Sequence, residues 1–394
     1  MTIQHRTRRS GQLVAVLSLG ALALAACGSS TSSSTSSEAA ASSAAPAASA
    51  PAASAPAASA AAPAASAAAA GACDPSKVVL IGQVRNETNP YEAAWLDGGD
   101  AYAKQVGLTQ QRLTYGGEST KQQEQIRQVL ATGDAACTVL NVLPNGDSDT
   151  LPIVKAAQDA GAWVVTQWNK PGDVNVPDYD HWISHLTYNG KESGKQIAEA
   201  MFAQMGGKGN IVALQGILDT AAAKDRFAGL QEALAANPGI TLLDDQTADF
   251  SRDKALAVTK TLLTKHGDQI NGIWTANDDM ALGALQALDA AGKTGVAVAG
   301  IDAVPEAVQA VSDGKMTATV SSDGPWQGAI GLAIGYCAAT GQLDVASLSP
   351  ENRAFFAKQF LITKDNAADF LAPKADPADF DCANVFNRVV GPIQ

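Results

Sequence analysis

The side chains best placed to do chemistry in this chain are two polar residues that end apolar runs: Asn277 after 273–276, and Asp302 after 296–301. An amide and a carboxylate side by side at the rim of a cleft can give and accept hydrogen bonds to a bound small molecule. Asn277 also suits a helix cap, a role compatible with ligand contact. The neighbouring Asp278-Asp279 pair has the residue types for general acid and base work. It sits at a helix start, however, where the dipole favours acidic side chains, so a structural role is expected. His181 and His185, four apart beside Asp180, lack a helical setting and a third ligand at motif spacing, so no metal site is expected. His266 before Gly267 fits a helix C-terminus. Neither Gly-x-Ser-x-Gly nor a phosphate loop occurs. No active site is visible, and neither an enzyme nor a cofactor is expected.

The elements around these residues explain their placement. From Met280 apolar residues recur at Leu282, Leu285 and Leu288 up to Ala291-Gly292, and a Pro305-led helix follows Asp302 over 306–311. A strand feeding a helix through a polar turn puts that turn at the carboxyl end of a parallel strand, where open α/β folds bind ligands. The same alternation starts at Lys77, with strands at 78–84, 113–115, 138–143 and 163–166, and helices at 91–106, 121–132 and 150–160. An irregular stretch, 171–188, interrupts it. A second set follows: helix 190–204, strand 211–214, helix 221–236, strand 240–243, helix 252–266, then the units ending in Asn277 and Asp302. Two successive sets predict two doubly wound parallel-sheet lobes, the second complete by Val320. Helix 326–340 and the strand-like 360–363 then carry the chain back to the first lobe and again to the second. Several connections make a hinge, and a cleft between hinged lobes is a ligand trap.

The whole chain limits the partners. Its 394 residues carry 39 acidic against 27 basic side chains, a net charge of -12 with no basic block beyond the first residues. Nucleic acid is therefore not expected as a partner, because backbone binding needs a positive footprint. No apolar run of about 18 residues follows residue 26, so no membrane span is expected in the mature protein. Residues 1–26 read as an export signal, with His5, Arg6, Arg8 and Arg9 ahead of the apolar 13–23. Leu24-Ala25-Ala26-Cys27 resembles the lipobox of bacterial lipoproteins, which implies lipidation of Cys27 and a lipid anchor. The residues after Arg8-Arg9 do not fit the twin-arginine route, so ordinary secretion is expected. The following stretch, within 27–76, is almost wholly Ser, Ala, Thr and Pro, with Pro-Ala-Ala-Ser-Ala units from Pro46, Pro51, Pro56 and Pro63. It has nothing to form a core and reads as a disordered linker.

After Cys27, Cys73, Cys137, Cys337 and Cys382 remain. Their spacing does not fit zinc, and an even number in an exported chain suggests two disulfides with three possible pairings. Cys73 and Cys137 each precede a predicted strand. If those strands are neighbours, the two fall within disulfide reach, and Cys337 then pairs with Cys382.

In order and spacing, Thr88-Asn89-Pro90-Tyr91, Leu214-Gln215-Gly216, 222–230, Thr247-Ala248-Asp249-Phe250, 276–285 and Gly300-Ile301-Asp302 resemble the type I, ribose/galactose-type periplasmic binding proteins, over about 77–366. The resemblance implies two Rossmann-like lobes joined by a three-crossover hinge that close on one sugar, then dock on the permease of an ABC importer. Lobe limits are expected at 77–187 plus 323–351 and at 188–322 plus 352–394. It also implies the ligand residues Asn89, Tyr91, Trp168, Asn169, Lys224, Phe250, Asn277 and Asp302, with a last polar position near Ser322 or Asp323. Trp168-Asn169 stands where the ribose-binding branch has an Asp-Arg pair, and Lys224 where it has arginine.

The residue types suit a sugar, which offers hydroxyls and apolar C–H faces. Tyr91, Trp168 and Phe250 supply aromatic surfaces and the rest hold hydroxyls. Losing the Asp-Arg pair points away from ribose, toward a ligand with fewer ring hydroxyls at that end or an open-chain polyol. Trp168 could instead be a core aromatic and Lys224 a solvated helix residue. The expected function is a monomeric, lipid-anchored solute-binding protein for a monosaccharide or sugar alcohol. The alternative is a receptor component that presents the closed form to a chemoreceptor or sensor kinase. A repressor core is disfavoured by the export signal and by the lack of a helix-turn-helix before Lys77.

Overall fold

The computed structural model describes residues 72–371 and 375–393. The signal segment, Cys27 and the linker up to residue 71 lie outside the described residues. From Cys73 onward the chain builds two sheets, each flanked by helices.

The first sheet forms from β1 (Val79–Val84), α1 (Pro90–Gln105), β2 (Gln110–Thr114), α2 (Ser119–Thr132), β3 (Thr138–Val142), α3 (Asp147–Ala160), β4 (Trp163–Gln167) and β5 (Trp182–Thr187). The second forms from α4 (Gly190–Gln204), β6 (Gly209–Gln215), α5 (Ala221–Ala236), β7 (Ile240–Thr247), α6 (Arg252–His266), β8 (Gly272–Thr275), α7 (Asp278–Ala290), β9 (Ala297–Ala299), α8 (Pro305–Ser312) and β10 (Ala318–Val320). Continuous apolar strands such as β3 and β8 are buried along their whole length, as parallel strands covered on both faces require.

The chain then returns through α9 (Gly324–Ala339), which packs on β3, β4 and α1 of the first sheet. The one-turn α10 (Pro350–Arg353) leads to β11 (Ala354–Ala357) in the first sheet, and β12 (Leu361–Thr363) joins the second. Connections at 187–190, 320–324 and 357–361 thus run between the sheets. After the short α11 (Ala367–Phe370), the tail ends in β13 (Val389–Pro392), paired antiparallel with β11. The first sheet runs β13-β11-β5-β4-β3-β1-β2 and the second β12-β10-β9-β8-β6-β7. This is the two-lobed, doubly wound α/β architecture that the alternating pattern predicts.

Two expectations need correction. The stretch 171–188 is not wholly irregular, because Trp182–Thr187 is the buried strand β5. Ser184 and His185 interrupt its apolar run, but both are satisfied internally: Ser184 Oγ donates to Asn352 O at 2.6 Å, and His185 Nδ1 lies 2.9 Å from Thr166 Oγ1. Burial pushes the His185 pKa down to about 3, and His181 stacks on Trp163. The expectation that 352–394 belongs with the second lobe holds only in part, since β12 joins the second sheet while β11 and β13 lie in the first. Strands of three or four residues carry no local signal of their partner, which depends on where the hinge delivers them.

Both disulfides form, Cys73–Cys137 with Cα atoms 5.4 Å apart and Cys337–Cys382 at 5.6 Å. The first joins the entrances of β1 and β3, which are neighbours in register. The second ties α9 to the tail. Both therefore brace the first sheet. Glycine makes the α1–α9 contact possible, because a Cβ on Gly98 or Gly328 would run into the backbone of Pro325 or Trp95. Among the described residues no helix is long and apolar enough to cross a membrane.

Candidate functional site

A cavity of about 520 Å³, including its open mouth, lies between the carboxyl edges of the two sheets. From the first sheet it is lined by Arg85 beyond β1, Asn89, Tyr91 and Glu92 at the head of α1, Leu143 and Pro144 beyond β3, and Trp168 and Asn169 beyond β4. From the second come Thr220, Ala222 and Arg226 around α5, Phe250 beyond β7, Asn277 beyond β8 and Asp302 beyond β9.

The second-sheet wall is built on charge. Asn277 Oδ1 accepts the Met280 N–H at 3.0 Å, so this residue caps α7 while also lining the cavity. Arg226 Nη1 donates to Ala276 O at 2.6 Å, its Nη2 lies 3.5 Å from Asp302 Oδ1, and its Nε is buried without a partner. Burial pushes the Asp302 pKa up to about 7 against the pull of Arg226. Asp278 and Asp279 are structural. Asp278 accepts from Thr319 Oγ1 at 2.8 Å and from the Val304 N–H at 3.0 Å, and burial, with the charge of Asp302, lifts its pKa to about 8. Asp279 accepts from Arg252 Nε at 2.8 Å.

The first-sheet wall carries aromatic rings, and the polar atoms of Tyr91 and Trp168 are engaged within the protein. Trp168 Nε1 donates to the Tyr91 hydroxyl at 2.8 Å, and that hydroxyl donates to Gln327 Oε1. Trp168 also meets Tyr91 edge-on, with centroids 5.9 Å apart, and its ring lies 4.7 Å from the Arg226 guanidinium of the opposite wall. Behind it Gln167 receives Trp95 Nε1 at 2.8 Å and donates to Asn141 Oδ1 at 2.8 Å, fixing the end of β4. Asn169 Nδ2 donates to Pro144 O at 2.7 Å, which leaves its buried Oδ1 without a protein partner. Asn89 caps α1 through Oδ1, 2.9 Å from the Tyr91 N–H, and reaches across the cavity to Phe250 O at 3.3 Å.

Backbone strain concentrates here. Trp168, Phe250 and Asp302 line the cavity with φ of 67°, 58° and 127°, values that non-glycine residues adopt at a cost. Gly216 makes room for this geometry, since a Cβ there would enter the Phe250 ring.

Of the residues expected from sequence, Asn89, Tyr91, Trp168, Asn169, Phe250, Asn277 and Asp302 come together. Lys224 does not. Its exposed ammonium pairs with Asp147 Oδ2 at 2.9 Å on the lip, bridging the head of α5 to that of α3. Residues two apart on a helix face different directions, and Arg226 is the α5 cation that enters the cavity. The apolar stripe Ala223, Leu230 and Ala233 includes Arg226, and an arginine on a buried stripe is the signal that finds it. Glu92, on the buried stripe of α1 with Trp95 and Leu96, carries the same signal. Ser322 and Asp323 are not among the lining residues; Asp323 caps α9 and pairs with Arg388 at 2.7 Å.

Residues 84–343 match the family model described as periplasmic binding protein domain. The chain belongs to this family. As a periplasmic binding protein it is 34% identical to the ribose import binding protein of Escherichia coli K12 over 235 residues, covering 59% of this chain and 75% of that one. It is 32% identical to the xylitol-binding protein of Mycolicibacterium smegmatis over 239 residues, 60% of this chain and 66% of that one. Among solved structures, a twin-arginine translocation pathway signal protein from Burkholderia phytofirmans superimposes with a TM-score of 0.77 at 40% identity, covering 81% of this chain and 99% of that one.

Proposed function

We propose that this periplasmic binding protein captures a neutral monosaccharide or sugar alcohol between its two sheets and delivers it to the permease of an ABC importer. The observation that carries the reading is the cavity itself. Aromatic rings of one wall face Arg226, Asn277 and Asp302 of the other across a hinged cleft, matching the C–H faces and the hydroxyls of a sugar. Relatives named for ribose and xylitol support the substrate class. Trp168-Asn169 biases the choice away from ribose, because a ring with its N–H engaged replaces a charged pair. The function is binding and closure, with no bond made or broken.

On this reading the leader and Cys27 make the protein exported and lipid-anchored, with the Ala/Ser/Pro-rich segment as its tether, and it acts as a monomer. Its domains follow the sheets, 77–187 with 323–351 forming one lobe and 188–322 the core of the other. Arg8-Arg9 stands in the leader and the Burkholderia neighbour is named for the twin-arginine pathway. Replacing both arginines by lysine and following export separates that route from ordinary secretion.

The test of the function is a thermal-shift screen of the purified chain against pentoses, hexoses, their polyols and amino acids. A ligand at 100 times its dissociation constant adds about 2.7 kcal/mol of stability. Stabilisation by a sugar or polyol is expected. Stabilisation by amino acids alone would reject the substrate class, and co-purification of a permease tests delivery.

A further inference from the structure

The cavity holds a second guanidinium–carboxylate pair, in the wall opposite Arg226 and Asp302. Arg85 Nη1 lies 3.9 Å from Glu92 Oε1, and both side chains are largely buried. The outer atoms of each group are fixed by the protein. Arg85 Nη2 donates to the Asn145 carbonyl and to Asn145 Oδ1, each at 3.1 Å, while Nε donates to the same Oδ1 at 3.3 Å. Glu92 Oε2 accepts the Asn86 N–H at 2.8 Å. The two facing atoms, Nη1 and Oε1, have no side-chain hydrogen-bond partner among the described residues and are too far apart to bond each other, although the Arg85 backbone N–H also favours the Glu92 carboxylate.

This spacing suits a hydroxyl. An oxygen about 2.8 Å from each atom accepts from the guanidinium and donates to the carboxylate, making two charge-assisted bonds at once. In the other wall Arg226 Nη2 and Asp302 Oδ1 also pair a guanidinium with a carboxylate, but at 3.5 Å they meet directly. Tyr91 and Trp168 line the same cavity, and their hydroxyl and N–H are engaged elsewhere. The site therefore has two polar poles and an aromatic surface. Each pole offers a hydroxyl both a guanidinium donor and a carboxyl acceptor.

We infer that Arg85 and Glu92 form a second hydroxyl-binding pole that determines specificity, selecting ligands with hydroxyls at both ends. The inference rests on the sugar or polyol reading of the cavity. It adds that a ligand with a hydroxyl only at the Asp302 end is discriminated against.

The test is isothermal titration of the full chain, its Glu92→Gln and Arg85→Met variants, and Asn277→Ala, with ribose, 5-deoxyribose, 2-deoxyribose, xylitol and myo-inositol. Glu92→Gln keeps an acceptor for the Asn86 N–H, and its unliganded melting temperature reports on folding. For the tightest probe, both pole variants are expected to weaken binding roughly tenfold or more. They should also narrow the preference for a fully hydroxylated probe over its deoxy counterpart, an effect that mere loss of folding does not produce. Wild-type affinities and an unchanged rank order in both pole variants, with binding still lost in Asn277→Ala, overturn the second pole while leaving the sugar reading intact. Failure of every probe to bind the wild-type chain rejects both.

Discussion

The two walls of the cavity are built differently. The second-sheet wall presents Arg226, Asn277 and Asp302, which line the cavity while part of each polar group is held by the protein. The first-sheet wall presents Tyr91 and Trp168, whose polar atoms are tied to each other and to Gln327. The sheets beneath differ as well, since both disulfides brace the first and neither braces the second. The stapled wall supplies aromatic shape, with Arg85 and Glu92 as its polar end, and the opposing wall supplies the Arg226, Asn277 and Asp302 contacts. Rigidity on one side lets closure of the other be the step that a ligand stabilises.

Reducing the disulfides is expected to have the largest effect on this contrast. Their loops of 64 and 45 residues each correspond to roughly 4 kcal/mol of chain entropy. With both bonds reduced, hydrogen exchange should accelerate in β1, β3 and β4 before β6 and β8. Equal acceleration in both sheets would show that the staples do not distinguish the lobes. Next in size is Arg226→Met, which leaves Asp302 without its buried partner. Titration is expected to show binding weakened by about a hundredfold, on the order of 3 kcal/mol. Trp168→Phe removes one internal donor and part of a surface, so a smaller loss of roughly three- to tenfold is expected. A larger loss from Trp168→Phe than from Arg226→Met would reverse the roles of the walls.

Much of this contrast is legible in the sequence, though unevenly. Asn277 and Asp302 follow short apolar strands and precede helices, so the end of the strand places them without any tertiary knowledge. Trp168 and Asn169 also lie beyond a strand, β4, but only the family resemblance singles them out in sequence. What local pattern does not give is side-chain direction on a helix. Lys224 and Arg226 are two residues apart, and only the buried stripe of α5 separates a lip cation from a cavity cation. Glu92 is marked by the buried stripe of α1 but Arg85 is ordinary in sequence, and they become a pair only because the loop after β1 folds back against the head of α1. The pairing of β11 and β13 with the first sheet is equally invisible, because it depends on the hinge.

Two smaller effects refine the picture. Asp278 and Asp302 carry folded-state pKa values of about 8 and about 7, well above the carboxylate range of the unfolded chain. The native state then holds protons that the unfolded chain releases, so these groups favour folding at low pH and their contribution is lost as pH rises through about 4 to 8. Thermal melts of the unliganded chain should lose stability from this source across that window, and Asp302→Asn should flatten the slope. A slope unchanged in the variant would remove Asp302 as a source. The smallest effect belongs to Lys224→Ala. Its half-exposed pair with Asp147 contributes about 0.2–1 kcal/mol at most to closure, so affinity should change less than roughly fivefold. A loss comparable to that of Arg226→Met would return Lys224 to the ligand site.

The central claim, that a sugar or polyol is held through the second-sheet wall, is tested most directly by isothermal titration. The chain and its Asp302→Ala variant are titrated with the sugar or polyol that stabilises the wild type most. A single site on the wild type is expected, weakened roughly ten- to hundredfold in the variant while its fold is retained. Equal affinity in the two proteins would contradict the account and move the ligand away from this cavity.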